Sequence, residues 1–349
     1  MDLKEILDGL RTRPYVLGKK PRTGHYPSAA SVSYVDKNNE RKTEGSCMRS
    51  EWYDFKGFDE GLVYGPSSPR MGRILEMGNK YADMFVKEFK EAGIWAGDEI
   101  PFSIPELNIS GRIDAFIKDP SLAPAPPNRP LPEHLIGVEF KTVGGYQGSK
   151  GPITSTKDTK LFPKMDNVLQ CLVYLYHYGK FGIKKWLLLY IDRALGQSEA
   201  SPVHWNYHTI EINAAGYPVI SNEQGSKTIT EFKVIDVINR FKELQKHVDN
   251  NLLPPRDYAI RYDNNKILAL YDREALNKTQ TEAVTKIIKK RTRDGILKEE
   301  TPIIEIGDWR CAYCEYANIC YSNNPDMKPT NFKPKPKAIS EDIILEDIV

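Results

Sequence analysis

Apolar and polar residues alternate from Gly137 to Thr142, in the pattern of a half-buried β-strand. Successive side chains of a strand point to opposite faces, so Val138 and Phe140 are expected in a core. Glu139 and Lys141 would then project together from the other face. A lone Glu-x-Lys spacing is common, and by itself it indicates a solvated strand edge. The role of this strand therefore depends on the elements around it.

The residues before this strand predict a pair of strands. They are expected from Glu99 to Ile104 and from Leu107 to Lys118, joined by a turn at Pro105-Glu106. Asp114 is expected on the face of the second strand opposite to four apolar residues, Ile109, Ile113, Ala115 and Ile117. Asp114 can then meet Glu139 and Lys141 on adjacent strands.

Helical spacing of apolar residues predicts further elements. Helices are expected from Pro69 to about Ala92 and from Asp166 to Tyr178. In the second helix, Gln170 and Tyr174 are four residues apart and share one face. The remaining expected elements are strands at 186–191 and 208–212 and helices at 229–247 and 274–293.

Breaks between these elements divide the chain into four segments. These are an N-terminal segment 1–66, a core 67–255 that ends at Pro254-Pro255, a segment 256–322 that adds helices and three cysteines, and a tail 323–349 that is expected to be disordered. Six prolines between Asp119 and Glu133 cannot pair in a sheet and predict a stiff surface loop. A glycine- and lysine-rich stretch after Lys141 either closes over a bound strand or is a mobile surface loop.

Composition indicates a globular chain that is long enough for a substantial core. Of its 349 residues 40% are hydrophobic, and no apolar run approaches the length of a membrane span. The polar, acidic start at Met1–Glu5 is unlike a signal peptide, so we expect no membrane and a cytoplasmic location. A net charge of +2 does not by itself indicate nucleic acid. Two basic clusters are either solvated faces or phosphate contacts: Arg11, Arg13, Lys19, Lys20 and Arg22, and Lys286, Lys289, Lys290, Arg291 and Arg293.

Asp114, Glu139 and Lys141 together predict a site for Mg²⁺ or Mn²⁺, because carboxylate oxygens suit these cations and the ammonium can act on phosphate and water. The order Gly111–Asp114, Glu139–Lys141 and Gln170–Tyr174 resembles the G-x-x-D, E-x-K and Q-x-x-x-Y motifs of PD-(D/E)XK nucleases, in their RecB-like exonuclease branch. The resemblance implies an α/β fold, with a central mixed sheet flanked by helices as in restriction endonucleases. The segment 256–308 has no counterpart in this pattern.

The resemblance also implies roles for single residues. Asp114, Glu139 and the carbonyl of Phe140 would hold the metal, and Lys141 would orient or deprotonate water or stabilise charge. Gln170 and Tyr174 would position the strand. Glu76 stands where the family has a His or Glu that approaches the metal; an exposed helix carboxylate is the alternative.

Four of the five cysteines form a set with one member far upstream and three close together: Cys47, Cys311, Cys314 and Cys320. A cytosolic chain has little use for disulfides, so a metal is the better explanation. Structural zinc usually has two paired knuckles. The one-plus-three arrangement resembles the [4Fe–4S] cluster of AddB-type and CRISPR-associated RecB-like nucleases, which ties the two chain ends together. Zn²⁺ is the alternative, and Cys171 is interpreted as a small buried residue.

These features predict a metal-dependent DNA exonuclease for recombination, repair or processing, acting on DNA with a free end or a single strand in a bacterial, archaeal or phage-infected cell. One alternative is a DNA-binding or complex-organising subunit that does not cut, although all three catalytic residues are present. Another is an endonuclease or end-trimmer within a CRISPR-adaptation or recombination complex. The acidic tail from Ile339 to Val349 is either a docking peptide for a protein partner or a frayed helix. Polarity and pathway stay open.

Overall fold

The computed structural model describes residues 22–57, 69–122, 132–144, 150–154, 160–193, 205–294 and 304–321. The chain divides into two compact units. The described residues up to Pro254 form the first unit, and those from Pro255 onward form the second. The N-terminal residues 22–57 belong to the same unit as the sheet. None of the described helices has the length and hydropathy of a membrane-spanning helix.

The first unit is an α/β fold with a seven-stranded mixed sheet, as expected. Its strands lie in chain order, β3 (Trp95–Ile104), β4 (Ile109–Lys118), β5 (Leu135–Val143), β6 (Lys185–Asp192), β7 (Trp205–Ile212), β8 (Pro218–Asn222) and β9 (Lys227–Ile229). Neighbours are antiparallel except β5 and β6, which are parallel. A separate antiparallel ribbon contains β1 (Ser31–Val35) and β2 (Arg41–Gly45). The helices are α1 (Met48–Lys56), α2 (Pro69–Glu91), α3 (Met165–Tyr178) and α4 (Val234–Asp249).

Helices cover both faces of the sheet. On one face α3 and α4 pack against residues such as Phe116, Trp186 and Ile210. On the other face the α2 residue Phe85 joins Val138 and other apolar side chains of the central strands. Because α3 lies entirely within the core from Val168 to Leu175, any polar side chain in that stretch must find its partners inside the protein.

The parallel pairing of β5 and β6 depends on a glycine. Gly137 pairs with Trp186, and a Cβ at this position would lie 2.3 Å from the indole ring. A larger residue would displace Trp186, which also stacks on Tyr174 with 4.8 Å between ring centroids. Gly137 therefore helps to place β5, and the residues that β5 carries, against α3.

The expectation for the apolar face of β4 is wrong in one respect. Ile109 and Ile113 pack in the cluster beneath α3, whereas Ala115 and Ile117 pack in the cluster beneath α2. β4 pairs with β5 only from Ala115 to Lys118, whereas its first half pairs with β3 and, by a single bridge at Ile109, with His25. A two-stranded ribbon twists more strongly than a full sheet, and the two halves of β4 consequently meet different neighbours.

Two helices begin later than the spacing predicts. The helix expected from Ile229 begins at Val234, because Lys227–Ile229 pairs as β9 and Asp236 accepts a hydrogen bond from the Lys233 amide at 2.8 Å. The helix expected from Glu274 is α6 (Lys278–Asp294), which follows α5 (Asn264–Asp272). Asn277 and Gln280 cap its first turn with reciprocal hydrogen bonds. In both places a polar cap sets the start of the helix.

The second unit has two small cores. One lies between α5 and α6, around Ile267 and Val284. The other contains Ile260, Ala317 and Tyr321, beside the one-turn helices α7 (Trp309–Ala312) and α8 (Ala317–Cys320). Several predictions lie outside the described residues: most of the first basic cluster, most of the proline-rich loop, the glycine-rich stretch 145–149 and the acidic tail. For the second basic cluster, the side chains from Lys289 onward are also outside them.

Candidate active site

The two carboxylates of the motif meet where β4 and β5 stop pairing. The last paired residues are Ala115 and Val138, so Asp114 and Glu139 are the next residues on the two strands. Asp114 Oδ2 accepts a hydrogen bond from the Phe140 amide at 2.8 Å. A carboxylate thus occupies the position at which a strand carbonyl would continue the ladder, and it lies directly beside the β5 backbone.

Lys141, Glu139, Gln170 and Tyr174 form one hydrogen-bonded network. Lys141 Nζ donates to Glu139 Oε1 at 2.6 Å and to Gln170 Oε1 at 3.0 Å. Gln170 Nε2 donates to Glu139 Oε1 at 2.7 Å and to the Tyr174 hydroxyl at 2.7 Å. The side-chain amide of Gln170 therefore bridges both charged residues of β5. Its oxygen accepts from an ammonium and its nitrogen donates to a carboxylate and a hydroxyl, which fixes the orientation of the amide.

Gly111, the first residue of the motif, has a structural reason to be glycine. A Cβ there would lie 3.0 Å from the Phe102 ring and 3.0 Å from Pro27. Phe102 in turn packs edge-on against Tyr174, with 5.3 Å between ring centroids. The motif glycine thus permits the packing that holds Tyr174, and through it Gln170, in place.

Burial and neighbouring charges shift the pKa values of this site. Burial, with the charge of Glu139, raises the pKa of Asp114 to about 7, although the Phe140 amide and Lys141 oppose the shift. Burial lowers the pKa of Lys141, but the charge and hydrogen bond of Glu139 outweigh it and leave the pKa above its ordinary value. Burial and Glu139 also raise the pKa of Tyr174. Lys141 is therefore an ammonium ion and Tyr174 a neutral phenol at neutral pH.

One oxygen of the site lacks a partner. Glu139 is 3% exposed, and no donor among the described residues reaches its buried Oε2 atom. An unpaired buried carboxylate oxygen is costly. Beside it stands Asp114, a second carboxylate whose pKa is raised by burial and, to a lesser extent, by the charge of Glu139. Two hard oxygen donors with uncompensated charge fit a divalent cation such as Mg²⁺ or Mn²⁺.

The two further predicted metal ligands have a less direct relation to this site. The Phe140 side chain packs in the cluster beneath α2, while its amide contacts Asp114. Glu76 lies on α2, which covers the face of the sheet opposite to α3, and it forms an ion pair with Lys80 at 3.2 Å. Metal binding by the Phe140 carbonyl and by Glu76 stays a prediction.

The cysteines of the predicted cluster lie in both units. Cys47 precedes α1 in the first unit and is half-buried. Cys311, Cys314 and Cys320 all pack against the small core of Ile260, Ala317 and Tyr321 in the second unit. Among the described residues, no group of three or more His, Cys, Asp or Glu side chains is already arranged to hold a metal ion. The three thiols on one core are nevertheless the soft donors that iron–sulfur clusters and zinc use.

The structure adds two residues that the sequence analysis did not single out. Asn167, one helical turn before Gln170, donates to the Tyr190 hydroxyl at 2.8 Å, and the Lys164 amide donates to the same oxygen at 3.0 Å. Tyr190 pairs with Lys141 across β5 and β6. The three-residue spacing of Asn167 and Gln170 was a usable signal, because it places both on one side of the helix.

Comparisons with protein-family models, with curated proteins and with solved structures find no match to this chain. The class of protein that the structure defines is an α/β protein with a mixed sheet flanked by helices.

Proposed function

We propose that this chain is a metal-dependent deoxyribonuclease with a PD-(D/E)XK active site that acts on DNA with a free end or a single strand. One observation carries the proposal. Asp114, Glu139 and Lys141 converge on one site, in which the Lys141 ammonium bonds one oxygen of Glu139 while the other oxygen has no donor among the described residues. This unpaired oxygen and the neighbouring Asp114 carboxylate form a donor pair for a hard cation.

Asp114 and Glu139 would hold Mg²⁺ or Mn²⁺, which, when bound, polarises phosphate oxygens and lowers the pKa of a bound water. Lys141 supplies positive charge beside them. Because its raised pKa keeps it protonated, it serves to orient water and to stabilise negative charge on phosphate.

Gln170 and Tyr174 support this arrangement from α3. Gln170 is 8% exposed and bonds both Lys141 and Glu139, so it holds the two charges at a fixed separation. Tyr174 is 1% exposed and holds the Gln170 amide. We therefore assign both residues to positioning of the β5 pair, since in this geometry neither side chain is exposed enough to bind a DNA strand.

The cysteines extend the proposal to a [4Fe–4S] cluster, with Zn²⁺ as the alternative. Cys311, Cys314 and Cys320 would supply three thiolates from one core, and Cys47 is the proposed fourth ligand. The role is structural: a cluster closes a long loop of chain and so stabilises the folded state.

The test uses anaerobically purified protein and end-labelled single- and double-stranded DNA, with Mg²⁺ or Mn²⁺. Lys141→Ala is compared with Lys180→Ala, which removes an exposed lysine whose ion pair with Glu106 is 3.5 Å long. We expect metal-dependent cutting in the wild type and in Lys180→Ala, and a loss of about a thousandfold in Lys141→Ala. The ladder from each labelled end gives the polarity. Protein that binds DNA but never cuts it would instead identify a binding subunit, and cutting that survives in Lys141→Ala would place the active site elsewhere.

A further inference from the structure

A pocket of about 540 Å³ lies on the sheet of the first unit, apart from the carboxylates. One wall is the segment 160–162, which precedes α3. The floor and the other walls come from β7, β8, β9 and the turn between the last two. The lining residues are Lys160, Leu161, Phe162, His208, Ile220, Asn222, Gln224, Ser226, Lys227 and Thr228.

The pocket lies on the same face of the sheet as the candidate active site. Strand pairing joins Glu139 to Leu188, Leu188 to His208, and His208 to Asn222. Residues directly opposite each other on paired strands point to the same face. Since strands are about 4.8 Å apart, the backbone of Asn222 is about 14 Å from that of Glu139 along this row. Because Leu188, between them, is fully buried in the cluster beneath α3, a strand that reaches both sites must pass around that helix.

The charge of the lining favours an anion. None of its ten described residues is acidic. Lys160 and Lys227 are exposed and stand on opposite sides of the pocket, on the segment before α3 and on β9. Within the described part of the chain, neither lysine forms an ion pair. Two unpaired ammonium groups with no competing carboxylate suit phosphate.

The remaining groups suit the base of a nucleotide. The Asn222 side-chain oxygen Oδ1 accepts from the Ser226 amide at 2.9 Å, while its Nδ2 has no acceptor among the described residues. Phe162 is half-buried and, in the described structure, makes no ring contact with another aromatic side chain. Single-stranded nucleic acids are bound by this combination of cations and an aromatic face on which a base stacks.

The floor contains a buried polar group without a complete set of partners. His208 is fully buried, and its Nε2–H donates to the Pro152 carbonyl at 2.9 Å. Its Nδ1 atom is therefore an acceptor, and no donor among the described residues reaches it. A buried acceptor left unpaired in a folded protein calls for an explanation such as a ligand or water at the site.

We propose that this pocket is a nucleotide-binding subsite, in which Lys160 and Lys227 bind phosphate, Phe162 stacks on a base and Asn222 contacts the base edge. The subsite deepens the proposed nuclease function and rests on it: it would hold a nucleotide of the same strand whose scissile phosphate lies at Asp114 and Glu139. A free mononucleotide has the same chemistry, so the test includes both.

Binding is measured in EDTA, so that no strand is cut, by fluorescence anisotropy of a labelled eight-nucleotide oligothymidylate. The Lys160→Gln/Lys227→Gln double variant is compared with Lys118→Gln/Lys184→Gln, which removes two exposed lysines outside the pocket. We expect the pocket variant to bind about tenfold more weakly. The slope of log affinity against log salt should become shallower by about 0.7 for each lysine removed. The control should keep the wild-type affinity and slope.

Phe162→Leu keeps an apolar side chain in the core but removes the aromatic face, and we expect at least about fivefold weaker binding. Unlabelled thymidine monophosphate is then added as a competitor. If thymidine monophosphate displaces the oligonucleotide, a free nucleotide suffices for binding. If it does not, while the pocket variants bind the oligonucleotide more weakly, the subsite requires a nucleotide within a strand. Wild-type protein that does not bind the oligonucleotide, or pocket variants with unchanged affinity and salt slope, would overturn the proposal.

The two proposals fail in different ways. Wild-type protein that binds through the pocket but never cuts with Mg²⁺ would end the nuclease proposal and leave the subsite. Metal-dependent cutting by the pocket variants with unchanged KM would end the subsite and leave the nuclease.

Discussion

The carboxylate site of the first unit and the cysteine segment of the second differ in how far the fold alone arranges them. Asp114, Glu139 and Gln170 come from β4, β5 and α3, which are ten, nine and fourteen residues long. Cys311 and Cys320 come from α7 and α8, which have four residues each. The first site is fixed by a large core, whereas the second rests on the three buried residues Ile260, Ala317 and Tyr321.

The contrast indicates what a metal would contribute at each site. Glu139, Lys141 and Gln170 are already hydrogen-bonded to one another, and a cation would only relieve the unpaired oxygen and the excess negative charge. The three cysteines share a core, but the described residues around them form no finished metal site. We infer that a metal at the carboxylates acts on chemistry, and that one at the cysteines acts on folding.

Removal of the proposed cysteine ligands should have the largest effect. A structural metal site contributes on the order of 10 kcal/mol to folding. The wild type should therefore show the brown colour of an iron–sulfur cluster, whereas Cys311→Ala/Cys314→Ala should be colourless and its second unit should unfold. The first unit should keep its own thermal transition and its resistance to protease, because its core is separate. The control is Cys171→Ala, a fully buried cysteine outside the set, which should stay brown. A wild type that is colourless and no more stable than Cys311→Ala/Cys314→Ala would remove the contrast between the two regions.

A smaller effect on the free energy of unfolding is expected from the titration of Asp114. Asp114 in the folded protein keeps its proton up to about pH 7, whereas an unfolded chain releases it near pH 4. The folded state thus binds more protons between these values, and the free energy of unfolding falls as the pH rises through them. The full shift corresponds to about 4 kcal/mol, and partial solvent access reduces the expected loss to about 2 kcal/mol.

Asp114→Asn removes this titration and keeps an acceptor for the Phe140 amide. In EDTA, its advantage in unfolding free energy over the wild type should grow from pH 5 to pH 8, as measured by urea denaturation. Mg²⁺ at pH 8 should stabilise the wild type more than the variant. A difference between the two proteins that stays constant over this pH range would show that Asp114 is not under electrostatic stress.

The positioning role of Gln170 is the next test. Gln170→Leu removes its bonds to Lys141 and Glu139 but preserves an apolar fit, and we expect cutting to fall by about 10- to 100-fold with a higher Mg²⁺ requirement. Tyr174→Phe is the matched variant, because it leaves both of those bonds in place. It should retain at least about a third of the activity. If Gln170→Leu cuts at the wild-type rate and the wild-type Mg²⁺ optimum, the network does not organise the site.

Local spacing explains why much of the carboxylate site could be predicted. The two-residue spacing of Glu139 and Lys141 and the four-residue spacing of Gln170 and Tyr174 each determine a shared face without knowledge of the fold. The meeting of Asp114 with Glu139 is different, since it depends on strand pairing across more than twenty residues. The resemblance to a known motif order supplied that expectation, because local pattern could not.

Two of the strands that the sequence analysis missed lack a burial signal. All three residues of β9 are exposed, and most of β2 is charged or partly exposed, so neither strand shows alternation of apolar and polar residues. The pocket at β7–β9 was missed for a different reason. Its residues come from three separate stretches of the chain, 160–162, 208 and 220–228, and only the sheet brings Lys160 and Lys227 to one cavity.

The smallest expected effect concerns the residue that holds the last cysteine. Arg256 Nε donates to Cys320 Sγ at 3.4 Å, its NH2 group donates to the Cys320 carbonyl, and its guanidinium lies 4.3 Å from the centroid of the Tyr321 ring. Tyr321 is itself anchored, because its hydroxyl accepts from the Ile260 amide at 3.1 Å. One planar, forked group thus joins Cys320 to the small core in a way that a lysine cannot reproduce.

Arg256→Lys keeps the charge and removes the fork, so we expect a loss of about 1 kcal/mol in the unfolding free energy of the second unit. The thermal transition of the first unit should not move. Arg112→Lys, an exposed residue paired with Glu99 in the first unit, is the matched control and should leave the second unit unchanged.

If the fold arranges the cysteines only weakly, the effect of Arg256→Lys should be larger after iron removal than before it, because a bound cluster would hold Cys320 without the arginine. An equal effect in both states would mean that the segment is as well ordered without metal as the carboxylate site, and the contrast between the two regions would be lost.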